Sequence, residues 1–339
     1  MAIKKICNMN EEKEPLSLID MPEPTPVGKE ILIKILACGV CHTELDEIEG
    51  RTPPPFFPVI PGHQIVGYVV EKGAKAINFS IGDRVGIGWI NSACGNCKQC
   101  SEGNENLCES FKATGRDVHG GYAQYVTILE DFAYRIPDNL LEIETAPLLC
   151  AGAIGYRSLR LTLLENGQNL GLFGFGASAH IVLKVVLNKY PSTKIFVFAR
   201  SEAERSFAYK IGAFWCGDID SICPEKLDAA IDTTPVWKPI LFALKNLKGG
   251  GRLVINAIRK EEIDKEVLST VNYPEHLWLE KEIKTVANVT RKDISEFLQL
   301  ASHIKLKPEI QLYSLKEANK ALVELKEKKI RGAKVLVIE

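Results

Sequence analysis

Gly171-Leu172-Phe173-Gly174-Phe175-Gly176-Ala177-Ser178-Ala179 sets Gly174-x-Gly176-x-x-Ala179 directly after an apolar run and before a helical pattern from Ser178 to Leu187. Gly174 permits a tight turn, Gly176 lets backbone approach a pyrophosphate, and Ala179 packs a helix onto a sheet. Ala177, Ser178 and Ala179, where that helix begins, would turn free N–H groups and the positive end of a helix dipole toward phosphates. A plain strand–helix turn shares the outline. The strand before it and the helix after it favour the nucleotide reading.

Outward from this turn, Asn169–Phe173, Lys194–Phe198, Asp228–Ile231, Arg252–Ile255 and Ile283–Ala287 read as short apolar strands separated by helical patterns. That rhythm predicts a doubly wound parallel sheet buried on both faces. After the second strand the chain reads Phe198-Ala199-Arg200-Ser201, with no carboxylate for an adenosine ribose. Arg200 suits a 2′-phosphate and Ser201 offers it a hydrogen bond, so NADP(H) is favoured over NAD. The alternative is a solvated strand-end arginine.

Upstream of about Glu142 the texture differs. Ile31–Val40, Ile65–Glu71, Asp83–Trp89 and Gly121–Leu129 are apolar or alternating segments broken by Gly, Pro and Asp, as expected of a compact β domain. Beyond Lys307 and Pro308 come a short strand, a helix from about Leu315 to Lys328, and a strand over Lys334–Ile338. These could extend the nucleotide sheet or return to the first domain.

With 339 residues the chain is long enough for two cores. Lys and Arg number 42 against 43 Asp and Glu, and no basic stripe points to a polyanion, so nucleic acid is not an expected partner. Met1–Asn10 has no apolar stretch of signal-peptide length, and no later window is long enough for a membrane span. A cytoplasmic protein is expected. In that compartment its ten cysteines would stay reduced, and their spacing decides their use. Cys7, Cys38, Cys216 and Cys223 read as buried small hydrophobes.

Cys94, Cys97, Cys100 and Cys108 are separated by two, two and seven residues. Tight Cys-x-x-Cys turns bring thiolates to the distance a tetrahedral zinc needs, and four of them close its coordination shell, so this site is expected to be structural. An iron–sulfur cluster is the competing occupant. Cys41, His63 and Cys150 are dispersed, and each alone reads more readily as packing. Together they form a Cys2His set that leaves a fourth position open for chemistry.

The run Gly39-Val40-Cys41-His42-Thr43, the pair Gly62-His63, the four-cysteine lobe and Cys150 just ahead of the nucleotide domain resemble the zinc-dependent alcohol dehydrogenases of the medium-chain dehydrogenase/reductase superfamily. The resemblance covers essentially the whole chain. It implies an α/β protein with a GroES-like β-rich catalytic domain over 1–145, completed by 306–339, and a Rossmann NAD(P)-binding domain over 146–305. It further implies two zinc ions per chain, a homodimer or homotetramer, and hydride transfer between an alcohol or aldehyde and the nucleotide. Thr43 matches the residue that bonds the substrate oxygen, although a strand-end Thr also caps backbone. His42 and Arg331 match cofactor contacts, and either is equally an ordinary surface cation. Trp89 matches a wall of the substrate pocket, with a core tryptophan as the other reading.

Four positions depart from the family pattern. Gln64 replaces a Glu after the ligand histidine, Asp46 stands where a relay histidine is common, and Ile154 replaces a Thr near the nicotinamide. Glu44 replaces an Asp and keeps a carboxylate able to orient a ligand. The reading that follows is an NADP(H)-dependent dehydrogenase or reductase acting on primary alcohols or their aldehydes. A polyol or secondary-alcohol dehydrogenase using NAD is the alternative within the superfamily, and a zinc-ribbon binding module is the alternative outside it.

Overall fold

The structure is a computed structural model that describes residues 1–327 and 332–339. The chain forms two compact units, Met1–Cys150 with Val289–Glu339, and Ala151–Asn288. In chain order the first unit contributes β1 (Glu30–Val40), α1 (His42–Ile48), β2 (Gln64–Lys72), β3 (Arg84–Ile87), β4 (Tyr125–Leu129) and β5 (Ala133–Arg135). The second contributes α2 (Ala151–Thr162), β6 (Asn169–Phe173), α3 (Ala177–Lys189), β7 (Lys194–Phe198), α4 (Glu202–Lys210), β8 (Trp215–Gly217), β9 (Leu227–Asp232), α5 (Lys238–Asn246), β10 (Leu247–Ile255) and β11 (Glu282–Thr285). The chain then returns to the first unit with α6 (Arg291–His303), β12 (Ile310–Ser314), α7 (Ala318–Lys326) and β13 (Ala333–Val337).

Among the described residues the first unit holds a seven-stranded sheet in the order β12-β13-β1-β2-β3-β5, with β4 also paired to β1. The central strand β1 buries Ile31, Ile33 and Ile35 and pairs antiparallel with both β13 and β2. The C-terminal strand therefore pairs within the first unit. The chain returns to the first unit at Val289. The reason lies in α6, whose buried face carries Ile294, Phe297, Leu298 and Ala301. Its first residue, Arg291, donates backbone and side-chain hydrogen bonds to Glu105, and near its end Ser302 bonds Asn139. The strand expected over Gly121–Leu129 starts only at Tyr125, because Gly120 and Gly121 donate to the carbonyls of Ile60 and Gly62 instead of joining the ladder.

In the second unit all strand pairs are parallel, in the order β8-β7-β6-β9-β10-β11. This is the doubly wound Rossmann order, in which the connections reverse direction between the first and fourth strands. All five residues of β6 are buried, as the apolar run requires. Burial on both faces fails at the edge, where all four residues of β11 are exposed. Cys38 and Cys223 are buried as expected, whereas Cys7 and Cys216 are only half-buried. Among the described residues no helix is long and apolar enough to cross a membrane.

Candidate active site and nucleotide loop

Cys41 leaves β1 as the residue capping α1, and its backbone N–H donates to Glu44 Oε2 at 2.6 Å. Glu44 is wholly buried, and its other oxygen lies 2.7 Å from His63 Nδ1, in ion-pair contact but off the hydrogen-bonding direction. One carboxylate thus braces two candidate ligands. His63 enters β2 after Gly62, which has φ +97° and would set a Cβ 2.4 Å from the Tyr122 ring. Gly62→Ala is therefore expected to destabilise the protein by about 3 kcal/mol and to lower its zinc content, measured by thermal unfolding and metal analysis. Cys150 ends a 3-10 turn over Ala146–Leu149 that includes Pro147.

These segments, far apart in sequence, bring the ligand atoms of Cys41, His63 and Cys150 within 4.8 Å of one another. His63 Nε2 is buried with no hydrogen-bond partner, a costly state for an imidazole unless an ion takes its lone pair. The Cys150 thiol, with His63, draws the Cys41 thiol well below its ordinary range, and the same contact pushes Cys150 well up. A shared negative charge, two sulfurs and a free ring nitrogen fit a zinc ion. The four lobe cysteines also place their sulfurs within 4.8 Å of one another, with Cys94 and Cys100 3.9 Å apart. Backbone N–H groups of Asn96 and Cys97 lower the Cys94 thiol to about 6, favouring the thiolate a metal needs.

Around the Cys2His cluster, Thr43 Oγ1 lies 3.6 Å from Cys41 Sγ, and His42 is exposed. Asp46, at the relay position, is buried and forms an ion pair with Arg51. Gln64 is buried against Gly39, where a Cβ would meet its side chain at 2.7 Å. Trp89 is half-buried and packs against the core of the first unit, with Phe111 at 5.2 Å and the Arg116 guanidinium at 5.3 Å from its ring. The sequence reading missed Glu47, one turn beyond Glu44, which is fully buried with neither carboxylate oxygen hydrogen-bonded. Burial, reinforced by Glu44, pushes its carboxyl well above the usual range. Its spacing from Glu44 was visible; its burial was not.

In the second unit Gly174 has φ +83°, and a Cβ there would meet Thr233 Oγ1 at 2.8 Å. Gly176 caps α3, and a Cβ there would meet nothing within 4 Å, so the loop backbone faces open space where a phosphate group fits. Ser178 is half-buried near Asn256, and Ala179 is buried under the helix. Arg200 is exposed; its carbonyl accepts from Arg205 at 2.9 Å, and its guanidinium has no hydrogen-bond or ion-pair partner among the described residues. Ser201 differs from expectation: its hydroxyl caps α4, accepting from Glu204 N–H and donating to Glu204 Oε2 at 2.9 Å. Offering that proton to a phosphate would give up the bond to Glu204. Arg331 lies outside the described residues.

The alcohol dehydrogenase GroES-like domain family matches residues 28–138. The chain is 41% identical over 329 residues to the probable alcohol dehydrogenase AdhA of Mycobacterium tuberculosis, covering 96% of this chain and 93% of that one. It is 34% identical to an alcohol dehydrogenase of Geobacillus stearothermophilus, covering 99% of each. Among solved structures it is similar to a CAD from Helicobacter pylori complexed with NADP(H), with TM-score 0.81 and 25% identity over 92% of this chain and 91% of that one. Two clustered ligand sets, a Gly-rich loop on a doubly wound sheet and full-length likeness to these enzymes make this chain a member of the zinc-type alcohol dehydrogenases of the medium-chain dehydrogenase/reductase superfamily.

Proposed function

We propose that this enzyme interconverts primary alcohols and aldehydes using NADP(H), with one zinc held by Cys41, His63 and Cys150 and a second by Cys94, Cys97, Cys100 and Cys108. The observation that carries the first site is the buried, partnerless Nε2 of His63 beside two thiols. When bound there, zinc supplies Lewis acidity that makes an alcohol oxygen ionisable near neutral pH. The nucleotide, when bound at Gly174–Ala179, supplies the hydride acceptor. Thr43 holds the substrate's hydroxyl proton and passes it outward. Glu44 keeps His63 oriented so that Nε2 stays available. Asp46, committed to Arg51, steadies α1 rather than carrying the proton onward. His42 and Arg331 are assigned to the cofactor, and Trp89 to the margin of the substrate pocket.

Arg200 supports NADP(H), being an uncommitted guanidinium after a strand whose end offers no carboxylate. The NADP(H) named with the Helicobacter pylori CAD points the same way. With Ser201 engaged as a helix cap, discrimination rests on Arg200. Ala199→Asp is expected to lower the NADPH-over-NADH ratio of kcat/KM by about 10-fold or more, read from steady-state rates with both nucleotides. An unchanged ratio would remove the assignment.

The open edge of β11, with exposed Ile258, Ile263, Tyr273, Trp278 and Leu279 in the same unit, supports a homo-oligomer, to be measured by light scattering. The unbridged cysteines fit a reducing compartment such as the cytoplasm. The deciding experiment combines zinc analysis with rates on aliphatic, aromatic and cinnamyl aldehydes, secondary alcohols and polyols, using NADPH and NADH. Preference for NAD and secondary alcohols or polyols would replace this proposal with the alternative inside the family.

A further inference from the structure

At the carboxyl end of β9, between β6 and β10, Asp232 is fully buried and ion-paired with Lys260, itself nearly buried. Lys260 Nζ also donates to the carbonyls of Thr234 at 2.7 Å and Val236 at 3.1 Å, so all three ammonium protons are committed. The other Asp232 oxygen accepts from the backbone N–H and hydroxyl of Thr234, and Thr233 donates to the Phe173 carbonyl. Asp232 and Lys260 together close the loop 233–236 into one shape. That loop lies directly against Gly174, whose absent Cβ would meet Thr233 at 2.8 Å and Thr234 at 2.9 Å. The contact falls where strand order reverses, the crevice that takes a dinucleotide in an open α/β sheet.

We infer that Lys260 is a positioning residue for the nucleotide: by clamping the loop after β9 it sets the wall on the nicotinamide half of the crevice. This rests on the nucleotide reading above. The β6–β8 half takes the adenosine end and the β9–β11 half the nicotinamide end, so loosening the clamp acts on one end of the ligand only. A purely structural role would act on both alike. An ammonium is needed because the acceptors converge from three directions, a geometry a planar guanidinium does not match.

The test uses Lys260→Met and, because that change strands a buried carboxylate, the double variant Asp232→Asn/Lys260→Met, which buries no charge. Binding of NADPH is followed by fluorescence, and binding of its fragment 2′,5′-ADP by competition, with NADH and 5′-AMP substituted if the wild type prefers NAD. Both variants are expected to weaken the dinucleotide by about 10-fold or more while shifting the fragment by no more than about twofold. Equal weakening of both ligands, or no change in either, overturns the positioning role. A wild-type enzyme that binds neither dinucleotide overturns the nucleotide reading and this inference with it.

Discussion

Cys41→Ala is expected to lower kcat/KM for aldehyde reduction by about 10^3-fold or more, while bound zinc falls by one of the two ions that the clustered ligand sets provide for. Cys41, proposed as a ligand, also organises the site, since its N–H anchors Glu44, which in turn faces His63. The alanine keeps the N–H, so α1 should form as before and thermal stability should move little. A Cys–His pair alone does not hold zinc against dilution, because the remaining sites fall to water. Steady-state kinetics with metal analysis checks both halves. Full activity with one zinc lost would refute the catalytic assignment of this cluster.

The second large effect is expected from Cys97→Ser, and it should fall on stability rather than chemistry. Residues 94–108 contain only a four-residue helix and a short 3-10 turn, and Glu105, Asn106 and Cys108 are the buried residues of the segment. So little apolar surface cannot order a lobe by itself, which leaves the four thiolates as its framework. Losing one is expected to release a zinc ion and cost about 4 kcal/mol or more, with hydrogen-exchange protection lost first across the lobe. The disturbance should then reach α6, because Glu105 anchors Arg291. The rate per folded active site should stay within about threefold of wild type, since four thiolates would leave a zinc held there no open coordination position. A loss of kcat parallel to the loss of this zinc, with stability unchanged, would assign the lobe to catalysis instead.

The sequence by itself determined what is encoded over a few neighbouring residues. The strands Asn169–Phe173 and Lys194–Phe198 have the expected bounds, the Gly174 turn has its positive φ, and the four lobe cysteines lie together. In each case the sequence pattern spans at most fifteen residues, so periodicity, turn chemistry and ligand spacing carry the information. Tertiary structure alone decided the rest. It brought Cys41, His63 and Cys150 together, drew α6 back to the catalytic unit through Glu105, and buried Glu47 without a hydrogen-bonding partner. It also closed Lys260 onto Asp232 across 28 residues. Burial and partnership are properties of surfaces that meet only after the chain folds, and no local pattern of residue types specifies which surfaces those will be.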